Sequence, residues 1–351
     1  MEAEPDGRAK VSTELAFEPA TANSAAAQFV AMFATAVQSI VNVMAQSEEL
    51  VLPRRLTVVV ADDFAAEVRS RMVDTREAEA FTTERVGGDV AGKNLPVPHD
   101  PDAGVIVLNM AVHDFSDTET GGQLLGALTL AHELFHPPLT WTRQASGALA
   151  GATFPSSTPS ELARSLVRIV ADEYRADMLS SITLEILAGD DQAQQHYVKL
   201  RQEWMCQLHR DSVAEALDVV VHPGWPDAVV AYRTHQLSLH EMWARICGQT
   251  EQTLTLLAHA EAAADFAAVP PPLAAFAEHP GVVKYLGPVW SAIMEAVSQG
   301  PLLPGVRQFR SVEDALIEVG EPALFDMWGS LGLTFPDLAD PSFFLHVTDP
   351  R

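Results

Sequence analysis

The chain has 351 residues, 48% hydrophobic and 20% charged, which suits a globular protein with a sizeable core in one large or two modest domains. Its 22 basic residues stand against 47 acidic ones, a net charge of −25, and this balance argues against nucleic acid and acidic membranes as partners. Two cysteines, Cys206 and Cys247, with no CxxC spacing, support neither a disulfide framework nor a thiolate zinc site.

The start, "MEAEPDGRAK", lacks the basic region and apolar run of a secretory signal, so the expectation is a cytoplasmic protein. From Thr21 to Ser47 there are 27 residues without a charge. At about 100° per residue, Phe29, Phe33, Val37, Ile40, Val41 and Met44 fall on one face and glutamines, serine and asparagine on the other. That pattern predicts an amphipathic helix packed on a core or on a second copy, and no membrane span. "RRLTVVVADD" is a buried strand by composition and "FAAEVRSRMVD" a helix. "FTTERVGGDVAGKNLPV" carries the turn signals of a hairpin or loop, "GVIVLNMAV" is the strongest strand candidate, and a helix starts near Gly121. Thr158, Pro159 and Glu161 form a capping box with proline at the first helical position, opening a long helix that ends at Gly189. Helices are expected over about 191–220 and 227–266, with a break at "AVPPPL" and helical pieces beyond. The expected class is α+β: a small sheet before the helix that starts near Gly121, then a mostly helical C-terminal half. The expected divisions are an N-terminal tail and helix over 1–50, a catalytic domain over 51–268, and a helical segment over 269–351.

Residues 129–139 read "TLAHELFHPPL". On a helix, His132 and His136 lie one above the other with Cβ atoms about 5–6 Å apart, so both imidazoles can reach one ion. Glu133 points about 100° away from His132 and is left to act as a general base toward a water that a zinc ion acidifies. Pro137 disfavours helical geometry at His136 and predicts that the helix stops at or next to it. A catalytic zinc needs a third protein ligand. Glu173 and Asp177, again four apart, extend the stripe Leu162, Leu166, Val170 and should point inward, where two buried acids call for a cation. A salt-bridged pair with Arg168 or Arg175 is the alternative.

"AHELFH" followed by "EYRAD" resembles the glutamate-type zincins, especially the HtpX/CAAX prenyl protease group and the ImmA/IrrE-like proteins. The resemblance covers about residues 54–188. It implies a zincin-like core, with His132, His136 and Glu173 as metal ligands, Glu133 as catalytic base, and Asp177 orienting a ligating histidine. The prenyl protease group also places a His-Pro before a helix bearing arginine. "HPGWPDAVVAYRTHQ" offers His222, with Tyr232, Arg233 and His235 following, as groups that could stabilise an oxyanion; the alternative is a plain turn at His222. Two features depart from the pattern: the membrane spans are absent, and Phe135 stands where glycine is frequent.

The expected activity is a zinc-dependent hydrolase, a metallopeptidase acting on a peptide, protein or amide-containing small molecule. Two further readings are an iron-dependent oxidative tailoring enzyme and an ImmA/IrrE-like regulatory or non-catalytic metal-binding protein. A purely structural metal would have no need of Glu133.

Overall fold

β-Branched runs form the centre of one part of the molecule. In a computed structural model, which describes residues 13–19, 24–72, 78, 81–85, 88–97, 99–112, 122–148, 158–189, 192–336 and 345–348, the chain forms two compact units. The architecture is α+β, with a small mixed sheet and mostly helical content. The first unit comprises Met1–Thr83, Asp89–Ser146 and Pro304–Arg307; the second comprises Glu84–Gly88, Gly147–Leu303 and Gln308–Arg351.

The first unit is built on a four-stranded sheet. Strands β1 (Glu14–Pro19), β2 (Arg55–Ala61), β5 (Gly92–Val97) and β6 (Asp100–Asn109) lie in the order β1-β2-β6-β5. β1 runs parallel to β2 and β2 parallel to β6, while β5 is an antiparallel edge. Between β2 and β5 in sequence, the two-residue strands β3 (Glu84–Arg85) and β4 (Gly88–Asp89) pair with each other as a separate sheet, as the turn signals anticipate. The central strands are buried on both faces, which is why they read as continuous apolar runs rather than alternating ones. Val59, Ala61, Val105 and Val107 pack with Phe64 and Val68 of helix α2 (Phe64–Arg71) on one face. Helix α3 (Gly122–Ala145) packs on β5 and β6, and its Trp141 ring comes within 3.2 Å of where a Cβ on Gly104 would be. Helix α1 (Ser24–Gln46) packs on α3 and β1 through Val37, Val41 and Met44. The face expected for this helix is thus buried within the chain over its second half; the side chains of Phe29 and Phe33 lie outside the described residues. β1 was not expected, because the N-terminal stretch read as tail and helix alone.

One expectation about α3 is corrected. The helix does not stop at His136 but continues through Pro137 and Pro138 to Ala145. Each proline removes a hydrogen bond, to the carbonyls of Glu133 and Leu134, at about 3 kcal/mol per interior proline. Tertiary anchoring offsets that: Leu139 and Thr142 are fully buried, Trp141 Nε1 donates to the Pro101 carbonyl at 2.9 Å, and Thr142 Oγ1 accepts from Val51 N at 2.9 Å.

The second unit is helical. It contains α4 (Pro159–Ala188), α5 (Gln192–Glu215), α6 (Trp225–Arg233), α7 (Leu239–Ala267), α8 (Gly287–Ser298) and most of α9 (Val306–Ser330). α4 begins with the expected capping box at Thr158 and Glu161 and ends at Gly189, whose φ is 53°. Its core gathers Leu166, Val170, Leu217, Trp225, Met242, Leu257 and Trp328. α5 runs on through wide helical turns over Ala216–Gly224, kinked at His222. The single helix expected over 227–266 is two: α6 ends at Arg233, and α7 starts after Ser238, whose side chain caps it in a box with Glu241. A short strand pair, β7 (Leu333–Thr334) with β8 (His346–Val347), closes the chain and was not anticipated. Both cysteines are free and partly buried, Cys247 against the helical core, and burial pushes both thiols up from the ordinary range. Among the described residues no helix is long and apolar enough to cross a membrane.

Candidate metal centre

In the first unit the helical repeat of α3 brings the two imidazoles together in a T-shaped pair. Their ring centroids are 4.7 Å apart at 75°, and His132 Nε2 lies 3.0 Å from His136 Nε2. An ion at roughly 2.0–2.1 Å from both nitrogens would subtend about 94°, and a small opening of the rings reaches the tetrahedral angle. Glu133 is buried, 6% exposed, and donor atoms of His132, Glu133 and His136 all lie within 4.8 Å of one another. These three residues could hold a metal ion.

The carboxylate of Glu133 owes its place to a glycine. Gly92 opens the edge strand β5 opposite Leu108. A Cβ there would sit 2.8 Å from both Cγ and Oε1 of Glu133 and 3.0 Å from Cγ2 of Thr129. The bare backbone lets α3 and its glutamate approach the strand this closely.

In the second unit Glu173 and Asp177 continue the buried stripe of α4 beyond Leu166 and Val170, as the spacing predicts, with about a quarter of each side chain exposed, 23% and 25%. Of the arginines considered as their partners, Arg168 pairs with Glu313 at 2.5 Å, and Arg175 lies 3.8 Å from Asp172. α4 packs along α7, which delivers His259 to the two acids. His259 Nδ1 is 2.6 Å from Asp177 Oδ2, and Nε2 faces Glu173 Oε2 at 3.9 Å. Beside them Tyr174 donates its hydroxyl to Asp265 at 2.7 Å, and burial above all raises its pKa, so it remains a protonated donor. Glu261 accepts from Trp290 Nε1 at 2.9 Å, and its pKa is raised chiefly by burial.

Asp177 contacts His259, a histidine that sequence reasoning did not name; that Asp177 orients a metal ligand is a matter for proposal. His259 sits in "LLAHAEAAADF". One polar ring on an alanine- and leucine-rich helix was its only signal, and the partner is 82 residues away.

His222 sits at the kink after α5, half-buried and preceding a cis peptide bond to Pro223. Arg233, at the exposed end of α6, donates to the Thr348 carbonyl. Compared with protein families, with curated proteins and with solved structures, the chain matches none.

Proposed function

We propose that the protein is a zinc-dependent hydrolase of the gluzincin type, a metallopeptidase in chemistry, acting on an amide in a peptide, protein or small molecule. The observation that carries the reading is the convergence of His132 and His136 Nε2 at 3.0 Å with a buried Glu133 beside them. Two solvated surface histidines would not need the glutamate, nor a strand glycine cleared to admit it.

His132 and His136 supply two ligands, and Glu173 is the third on the strength of the resemblance of "AHELFH" and "EYRAD" to the zincin pattern. A divalent ion held there supplies Lewis acidity, polarising an acyl oxygen and acidifying water. Glu133 takes the proton from the attacking water and later delivers it to the leaving amine. Its burial keeps competing solvent from the carboxylate, and Gly92 fixes how closely it can lie to β5. His222 and Arg233 remain the groups proposed for the developing oxyanion. Arg233 would act with only part of its five donors, since one is committed to the Thr348 carbonyl.

Metal analysis of protein purified without added metal tests the reading. About one zinc per chain is expected. Stoichiometric iron would replace the hydrolase with an oxidative tailoring enzyme. A chain that takes up no metal, even when zinc is supplied, would overturn both.

A further inference from the structure

We infer that His259 is itself a metal ligand, sharing its ion with Glu173, and that Asp177 is the carboxylate that holds its ring in place. The inference rests on the proposal that Glu173 binds the metal. Two observations within the helical unit carry it.

The first is the grip on Nδ1. At 2.6 Å from Asp177 Oδ2, that nitrogen carries the proton. In a neutral ring this fixes the tautomer and leaves the lone pair on Nε2, the form a metal requires. Histidines that ligate metals are held in this way, their second nitrogen donating to a carboxylate or carbonyl. The second observation is the spacing on the other side of the ring. Nε2 and Glu173 Oε2 face each other at 3.9 Å, too far for a hydrogen bond. The separation is still shorter than the sum of a zinc–nitrogen and a zinc–carboxylate bond, roughly 4.0–4.3 Å, so one ion can bond both atoms. All three side chains keep about a quarter of their surface exposed, 27% for His259, 23% for Glu173 and 25% for Asp177, so the ion has an entry path.

On the proposal above, His259 would be the third imidazole on the ion, beside His132 and His136. Asp177 does not touch the ion and is a positioning residue.

The test is X-ray absorption at the metal edge on the full chain loaded with zinc, with zinc affinity measured by chelator competition. The wild type should show three imidazoles. His259→Ala should show two, with affinity lowered by more than 100-fold. Asp177→Asn should keep three, with affinity lowered 10–100-fold, the scale of a lost outer partner. A wild type that binds zinc through two imidazoles, matched by an unchanged His259→Ala, sinks the inference and leaves the hydrolase reading standing. The array would then be an imidazolium held between two carboxylates, and His259→Ala would lower the melting temperature without changing metal content. A wild type that binds no zinc ends both. Should His259→Ala fail to fold, the imidazole count of the wild type decides alone.

Discussion

The two donor groups of this protein are built by opposite means. His132 and His136 stand on one helix four residues apart, and the backbone alone brings their Nε2 atoms to 3.0 Å. Asp177, Glu173 and His259 meet only because α4 packs along α7, across 82 residues of sequence. The first group is therefore preorganised as soon as α3 forms, whereas the second waits for the helical core. What holds each in place differs too: an edge strand cleared by Gly92 in one, a buried stripe of Leu166 and Val170 in the other.

The largest effect that can separate the proposed base from the proposed ligands is Glu133→Gln. The substitution keeps size and hydrogen bonding but removes the proton acceptor. Release of new amino groups from a peptide mixture should fall by roughly 10²–10⁴, with zinc content and melting temperature unchanged. Equal activity in the variant would end the hydrolytic reading. Glu173→Ala attacks the other group and should behave in the reverse sense, weakening zinc retention itself. If Glu133→Gln releases zinc as readily as Glu173→Ala does, the ligands are wrongly assigned.

Gly92→Ala probes the first group more gently. The new Cβ would lie 2.8 Å from Glu133 Cγ and Oε1, and the glutamate, being the flexible partner, must shift. Misplacing a catalytic group by about 1 Å costs on the order of 10²-fold in rate, so turnover should drop by about that much or less. Zinc binding should hold, because the three atoms nearest the new methyl belong to Glu133 and Thr129 and not to the imidazoles. Loss of zinc in Gly92→Ala would show that strand and histidines are one mechanical unit.

The same contrast explains what the sequence could and could not reveal. The strands β2 and β6, the capped start of α4 and the pair His132/His136 are local signals: apolar runs, a capping box, and i,i+4 spacing. The misses have tertiary causes. Pro137 and Pro138 argue locally for a stop, yet α3 continues because Trp141 and Thr142 are anchored to distant backbone. β1 is six residues long, and its pairing partner β2 begins about 40 residues on, at Arg55. His259 becomes meaningful only beside Asp177. One miss had a local signal: Ser238 and Glu241 spell the same capping box as Thr158 and Glu161, inside a stretch that otherwise reads as one helix.

That second box gives the smallest and most local prediction. Ser238 Oγ accepts from the Glu241 amide at 3.2 Å, and the Glu241 carboxylate accepts from the Ser238 amide at 2.7 Å. Replacing the serine with alanine should cost about 1 kcal/mol. In a unit of this size that is a fall of about 2–4 °C in melting temperature. Thr158→Ala should do the same at α4 if the two boxes are equivalent. The glutamate adds a pH signature. The Ser238 backbone amide first, and its hydroxyl second, hold the Glu241 carboxyl below its ordinary range. A carboxyl whose folded pKa is depressed contributes stability that is complete above its unfolded pKa and is lost as pH falls through the folded one. Wild type should therefore melt above Glu241→Gln at neutral pH, and the gap should close on acidification below the ordinary glutamate range. A gap that stays constant across that range would mean that the charge of the Glu241 carboxylate contributes nothing to the box.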